Sequence, residues 1–204
     1  MTDHRAPLIR AAATTTLLVA LVASGCSSEA GGSPVPTGGA DTSTSFADEA
    51  PRVVDPLDVS RYLTEPCETL TTDQLTTLDI PGSGTPETTG AIAENAGPFC
   101  SWSSSTTSDA VTIGFLTSNK GGLSDNYRAQ REFDYFEPTT VDDYPAVFTE
   151  RLDRRPTGTC NIVVGVADDM AFRATANTDL DARGACERAK QVAAAALATI
   201  RGGR

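Results

Sequence analysis

The sequence predicts an α+β domain in which a mostly antiparallel sheet of about five or six strands packs with N-terminal helices and a long C-terminal helix. Three observations predict it. Short runs of alternating apolar residues fill the middle of the chain. One alanine-rich amphipathic stretch ends it, and four cysteines lie in the same region. A region of about 150 residues is a common size for one domain with one core.

The region before the first strand predicts two short helices and a loop. Asp55 followed by Pro56 matches an N-cap and first-turn pair, so "PLDVSRYL" is predicted as a short helix. A second helix is expected from Thr71 or Thr72 to Leu78. Glycines then indicate a long loop that ends near Pro98.

Two runs joined by a Ser/Thr-rich turn predict the first hairpin. "FCSWS" places Cys100 and Trp102 on one face, with Trp102 as a core residue, and "VTIGFLT" alternates apolar residues with Thr112 and Gly114. The stretch "GGLSDNYRAQREF" then predicts a helix from about Leu123.

The second half of the chain predicts four more strands and the last helix. "FEPTTV" and "YPAVFTE" are the first two strands, and "TCNIVVGVA" is apolar at both alternating sets of positions, which indicates a central strand. A turn leads from it into "MAFRATA" as a further hairpin. From about Ala182 to Ile200, apolar residues form one helical stripe, whose many alanines favour close packing on the sheet.

Four cysteines belong to the predicted domain, and an even number fits an oxidising compartment. Four cysteines allow three pairings. Cys186 lies on the buried stripe of the last helix and Cys160 on an inner strand face, so we expect these two to pair. Cys67 is then left to pair with Cys100. No CxxC pair is present and His4 is the only histidine, which disfavours a zinc site.

Residues 1–25 have the plan of a bacterial lipoprotein signal peptide. Basic residues precede an uncharged stretch from Ala11 to Ala23, which is shorter than the roughly 20 apolar residues of a membrane span. The sequence "ASGC" resembles the lipobox of bacterial lipoproteins. That resemblance implies cleavage before Cys26 and lipidation of its thiol. The alternative is an ordinary signal peptide on a secreted protein.

Residues 26–52 are predicted to be a flexible Ser/Thr/Gly/Pro tether, because they hold too few apolar residues to offset their ordering entropy. Its typical reach is on the order of 25 to 30 Å. Residues 53–204 form the single domain with two disulfides. With lipid on Cys26, the protein is expected to be anchored on the outer face of the cytoplasmic membrane.

The charge of the chain disfavours nucleic acid as a partner. Residues 1–25 hold Arg5, Arg10 and Asp3, so 14 of the 16 basic and 26 of the 27 acidic residues remain after cleavage, a net charge of −12. A phosphate-binding surface needs clustered Lys and Arg, and the sequence has no basic run. Membrane attachment is therefore expected through the lipid on Cys26 and not through the protein surface.

Several motifs occur in an order that resembles one family. After the lipobox and the tether come "EPCETL", "PFCSW", "DDYPAVF", "TCNIVVGVAD" and "CERAKQVAAAAL". The set resembles an actinobacterial lipoprotein family called domain of unknown function 3558, from about Val54 to Ile200. Two positions depart from the family pattern, where a glycine is common at Asp143 and a proline at Ala185. More distantly, the domain is similar to the extracellular sensor domain of mycobacterial Ser/Thr kinases and to the Mog1/PsbP-like sandwich, which implies a fold and no function.

Candidate catalytic residues are few. No histidine remains after signal cleavage, which excludes Ser-His and Cys-His nucleophiles and histidine metal sites. The pairs Asp142–Asp143 and Asp168–Asp169 are candidates for glycoside hydrolysis, but adjacent strand residues point to opposite faces. We therefore expect both pairs in solvated turns, and we predict no enzyme and no cofactor.

The stretch "NTDLDARG" begins like a calcium loop, with oxygen ligands at Asn177, Asp179 and Asp181. Ala182 stands where that loop needs glycine, and Arg188 where it needs a bidentate glutamate. An acidic cap on the last helix is therefore the favoured interpretation.

The leading hypothesis is a non-catalytic cell-surface lipoprotein whose domain binds an envelope protein, an envelope component or a small ligand. The alternative is a solute- or lipid-binding lipoprotein working with a transporter, which requires an apolar cavity between the last helix and the sheet. A third hypothesis, an enzyme using carboxylates alone, requires two converging buried acids with raised pKa values.

Overall fold

The periodic runs of the sequence form seven strands and five α-helices in a computed structural model that describes residues 49–80 and 82–203. The helices are α1 (Ser60–Thr64), α2 (Thr72–Thr77), α3 (Gly90–Ala96), α4 (Leu123–Arg128) and α5 (Ala182–Gly202). The strands are β1 (Thr85–Glu87), β2 (Phe99–Ser103), β3 (Ala110–Phe115), β4 (Tyr135–Val141), β5 (Tyr144–Glu150), β6 (Thr159–Ala167) and β7 (Met170–Asn177). The predicted α+β class is confirmed.

The seven strands form one antiparallel sheet in the order β1-β2-β3-β7-β6-β5-β4. The expected count of five or six strands was too low because β1 was missed. This strand spans three residues, contains Pro86 and pairs only with β2 at the sheet edge. Such a short edge segment has no alternating apolar pattern that a sequence could reveal.

Strands β6 and β7 lie inside the sheet, as the apolar residues on both sides of β6 predicted. Ile162 and Val164 belong to the core on the α5 side, whereas Val163 belongs to a smaller cluster on the opposite side. Antiparallel pairing sets Val163 against Arg173 and Asn161 against Thr175. Directly paired residues point to the same face, so these four side chains share the face opposite α5.

Helix α5 packs on the sheet through its predicted stripe. Ala189, Ala193 and Leu197 are completely buried, and the small alanine side chains let the helix backbone lie close to the strands. At its start, the Asp181 carboxylate accepts a hydrogen bond from the Gly184 N–H at 2.8 Å. Asp181 is therefore the N-cap of α5, which confirms the predicted acidic cap.

Both predicted disulfides are present. Cys160 of β6 is bonded to Cys186 of α5. Cys67, in the 3₁₀ turn Pro66–Thr69, is bonded to Cys100 of β2. Trp102 lies on the same face as Cys100 and is almost completely buried, as expected for a core residue. The bridges thus join the N-terminal turn and the C-terminal helix to the same side of the sheet.

The first helix begins at Ser60 and not at Pro56 as predicted. The Leu57 N–H donates to the Val166 carbonyl at 2.8 Å, and Leu57 and Val59 are buried in the core. Pairing with the end of β6 prevents a helical conformation at Leu57. The Asp58 carboxylate then accepts the Ser60 N–H at 2.8 Å where the helix starts.

Helix α2 lies where it was predicted, but the loop before Pro98 was predicted wrongly. Thr71 and Gln74 form a capping box that begins α2. The supposed loop contains β1 and α3. Of the seven residues of α3, Ala93 is the buried one, so this helix has no apolar stripe from which it could be predicted.

Helix α4 and the first described residues cover part of the face opposite α5. Leu123 and Tyr127 of α4 pack against Val147 and Val163 of the sheet. The Ala50 N–H donates to the Ser124 hydroxyl at 3.1 Å. Helix α4 begins at Leu123 as predicted, ends at Arg128 and is followed by the 3₁₀ turn Gln130–Glu132. The remainder of this face is open.

Within residues 49–80 and 82–203, none of the helices combines the length and the apolar character needed to cross a membrane.

Candidate functional site

The open part of the sheet contains a cleft of about 460 Å³, which we call the arginine cleft. Its floor is formed by the middle of β6 and β7, and its walls by the end of β5, the loop to β6 and the C-terminal end of α3. Its charged and amide side chains include Glu150, Arg151, Arg154, Asn161 and Arg173.

A hydrogen-bonded row crosses three strands at the base of the cleft. Glu150 Oε1 accepts from the Asn161 N–H at 2.8 Å and from Asn161 Nδ2 at 2.7 Å. The Thr175 hydroxyl donates to Asn161 Oδ1 at 2.5 Å. Glu150 is only 2% exposed. The row fixes the orientation of the Asn161 amide and holds a carboxylate in the interior.

Burial raises the pKa of Glu150, and the hydrogen bonds from Asn161 and the nearby Arg154 charge oppose that shift. Its neutral form is therefore favoured more than that of a glutamate in water.

Arg173 projects from β7 at the centre of the open face. It is paired across the sheet with Val163 of β6 and with Gly114 of β3, and Gly114 has no side chain to cover it. Within the described part of the chain, the Arg173 guanidinium makes no hydrogen bond and no ion pair. Burial lowers the pKa of Arg173, and the Glu150 charge opposes this. The group is recessed among protein atoms but remains accessible to solvent.

Two further arginines stand at the rim on the loop after β5. Arg151 donates to Glu132 at 2.7 Å and lies over the Phe133 ring, 5.4 Å from its centroid. Arg154 is exposed, and its side chain makes no ion pair with a described residue. Arg154 and Arg173 therefore both have guanidinium donors free for a ligand.

The chemistry of the cleft suits an anion. Three arginines face one glutamate there, although the whole chain has a net charge of −11. A guanidinium binds a carboxylate or a phosphate through two parallel hydrogen bonds. No group of three or more His, Cys, Asp or Glu within residues 49–80 and 82–203 is placed to hold a metal ion.

The aspartate pairs predicted from the sequence lie away from the cleft in exposed turns. Asp142 and Asp143 have φ angles of 44° and 71° in the β4–β5 turn, a left-handed conformation that glycine adopts with less strain than other residues. Asp168, in the β6–β7 turn, accepts hydrogen bonds from Arg52 and from the Val53 N–H. Cys26 lies outside the described residues, so its lipidation stays a prediction.

The residues of the arginine cleft were not selected from the sequence. One signal was present, since Arg173 lies in the middle of the apolar strand "MAFRATA" and Glu150 ends the apolar run "YPAVFTE". Charged residues in such strands are rarely buried unless they are paired. Only the folded structure brings the two residues to one cleft, where the Glu150 carboxylate bonds to Asn161 and Arg173 lies beside Val163.

Comparison of the chain with known proteins identifies a family but no individual relative. No curated protein and no solved structure matches the chain. The model of the family described as "Protein of unknown function (DUF3558)" matches residues 21–199, which is most of the chain. The chain therefore belongs to the DUF3558 family.

Proposed function

We propose that this protein is a non-catalytic binding module, anchored outside the cytoplasm by lipid on Cys26, and that the arginine cleft is its ligand site. The observation that carries the proposal is Arg173, whose guanidinium lies recessed in the open face without a hydrogen-bonding partner among the described residues. Partly desolvated charges are costly unless a partner compensates them. An anionic ligand supplies that partner.

Electrostatics support an anion over a cation or a neutral ligand. Arg154 and Arg173 both face the cleft with free donors, and Arg151 adds a third positive charge at its rim. The net charge of the chain is negative and repels anions, whereas the arginines of this cleft attract them. The buried Glu150 lies beneath the arginines, where it orients Asn161.

The lining of the cleft supports binding and not catalysis. It includes one carboxylate, Glu150, and neither histidine nor cysteine. Oε1 of that carboxylate already accepts two hydrogen bonds from Asn161. A carboxylate-only enzyme needs a second converging acid, and none lines this cleft.

A lipid-carrying function has less support. It requires an apolar cavity between α5 and the sheet, where Val192, Ala196 and Leu197 of the helix are completely buried against Ile162 and its neighbours. Protein side chains fill this interface, which disfavours the lipid-carrying function.

Localisation at the cell surface rests on the lipobox-like "ASGC" and on the two disulfides, which form in oxidising compartments.

Anion binding is tested on mature protein extracted from membranes, by thermal unfolding with inorganic phosphate or acetate against chloride at equal ionic strength. A ligand at ten times its Kd stabilises the folded state by about 1.4 kcal/mol. We expect stabilisation of the wild type and its loss in Arg173→Gln. Arg183→Gln is the matched control, because Arg183 is exposed on α5 away from the cleft. Equal responses of wild type and Arg173→Gln would contradict the proposal.

Anchoring is tested separately by intact mass spectrometry of the membrane-extracted protein. We expect a mass that starts at Cys26 and carries acyl groups. A water-soluble, unacylated form would contradict the localisation and leave the anion site unaffected.

A further inference from the structure

A second pocket of about 210 Å³ adjoins the arginine cleft on the same open face. It lies between α3 and the sheet, and we call it the α3 pocket. Arg173 lines both pockets, so its guanidinium separates the polar cleft from this smaller space.

The α3 pocket has an apolar lining because one strand lacks a side chain there. Phe99 of β2, Gly114 of β3 and Arg173 of β7 lie side by side across the sheet. Gly114 leaves a gap between its two neighbours, and Phe99 is only partly buried. Ile92 of α3 lines the same pocket and is 66% exposed. An apolar ligand group in this gap would remove the side chains of Phe99 and Ile92 from water.

The hydroxyl groups of this pocket are already hydrogen-bonded to protein. Ser101 and Thr112 bond to each other at 3.0 Å, and the Thr175 hydroxyl donates to Asn161 at 2.5 Å. A ligand group in the pocket therefore meets mainly apolar atoms, with the Arg173 charge at one side.

We propose that the ligand is an amphiphilic anion: its carboxylate or phosphate binds Arg173, and one aromatic ring or short alkyl chain occupies the α3 pocket. This inference rests on the proposed function of the arginine cleft. The size fits, because an apolar cavity of about 150 Å³ accommodates benzene. The charge fits, because the anion meets a guanidinium with free donors.

The test compares each anion with its phenyl derivative by titration calorimetry on the mature protein. The pairs are acetate with benzoate, and inorganic phosphate with phenyl phosphate, which separate carboxylate from phosphate recognition. We expect the phenyl compound of at least one pair to bind about tenfold more tightly, as burial of roughly 60 Å² of apolar ring surface predicts.

Two variants test which residues produce the preference for the phenyl compound. Ile92→Ser should reduce the preference for the phenyl compound, and Leu180→Ser is its control, because Leu180 is a comparably exposed apolar residue outside both pockets. Arg173→Gln should abolish binding of both members of each pair.

The outcomes distinguish the two proposals. Equal affinities for both members of a pair, lost in Arg173→Gln, would overturn the α3 pocket assignment and retain the anion site. A phenyl preference that persists in Ile92→Ser would also overturn the assignment. Absence of binding by all four compounds would overturn both proposals.

Discussion

The disulfide between Cys160 and Cys186 should contribute a large part of the stability of this domain. It connects the inner strand β6 to α5, the helix that packs on β6, β7 and β3. The double variant Cys160→Ala/Cys186→Ala removes the bridge without leaving free thiols. Without it, α5 is retained by packing and by a few hydrogen bonds, such as that from Gln74 Nε2 to the Ala195 carbonyl.

The magnitude follows from the length of chain that the bridge closes. The two cysteines are 26 residues apart. Restricting an unfolded loop of that length stabilises the folded state by about 3.5 kcal/mol at 25 °C. The corresponding value for Cys67 and Cys100, which are 33 residues apart, is about 3.7 kcal/mol. Either loss is a large fraction of the roughly 5 to 15 kcal/mol typical of a domain.

The assay is urea unfolding followed by tryptophan fluorescence. Trp102 is the only tryptophan of the chain and is 1% exposed, so its emission reports opening of the core. We expect the free energy of unfolding to fall by about 3 to 4 kcal/mol and Tm by about 7 to 14 °C. Glu187→Ala, an exposed change beside Cys186, should alter stability by less than about 0.5 kcal/mol. A loss below about 1 kcal/mol in the double variant would refute the reasoning.

Four other predictions concern individual residues. Burial raises the pKa of Glu150, so the folded state is stabilised by its neutral form at low pH. This stabilisation is lost as the pH rises from the usual pKa of a glutamate through the raised pKa, and the Tm should fall over that range. Glu150→Gln cannot ionise and should remove this fall in Tm. The same variant removes a like charge from the cleft and should bind phosphate about fivefold more tightly at pH 7, which corresponds to a repulsion of about 1 kcal/mol; unchanged affinity in calorimetry would contradict this. Asp181→Ala should cost about 1 kcal/mol in urea unfolding through loss of the α5 cap, and an unchanged midpoint would disprove that role. Gly158→Ala should lower the free energy of unfolding by more than about 1 kcal/mol, because the φ angle of Gly158 is +85° and a Cβ there would collide with the Thr178 carbonyl. If the variant were as stable as the wild type, the turn would have to relax without cost and the prediction would be wrong.

Local patterns were sufficient for most of the fold. Apolar patterns predicted β2, β3, β5, β6 and β7 because each of these strands buries one or both faces, and the alanine stripe predicted α5 because that helix packs along its length. Strand β4 was predicted next to the Asp142–Asp143 turn, although it is only partly buried. Both cysteine pairs followed from placing the cysteines on inner faces. Elements with little burial, β1 and α3, were missed, since their positions depend on neighbours and not on their own composition.

What the sequence by itself determined is therefore the fold class, the disulfide pairing and the expectation of a lipid-anchored, acidic surface protein. The tertiary structure decided where a ligand can bind. Glu150, Asn161 and Arg173 come from three different strands; the register of β6 and β7 puts Asn161 and Arg173 on one face, and hydrogen bonds connect Glu150 to Asn161. The gap beside Arg173 depends on Gly114 of a fourth strand. Such a site arises from side chains distant in sequence, because a one-residue shift in register would turn them to the opposite face of the sheet.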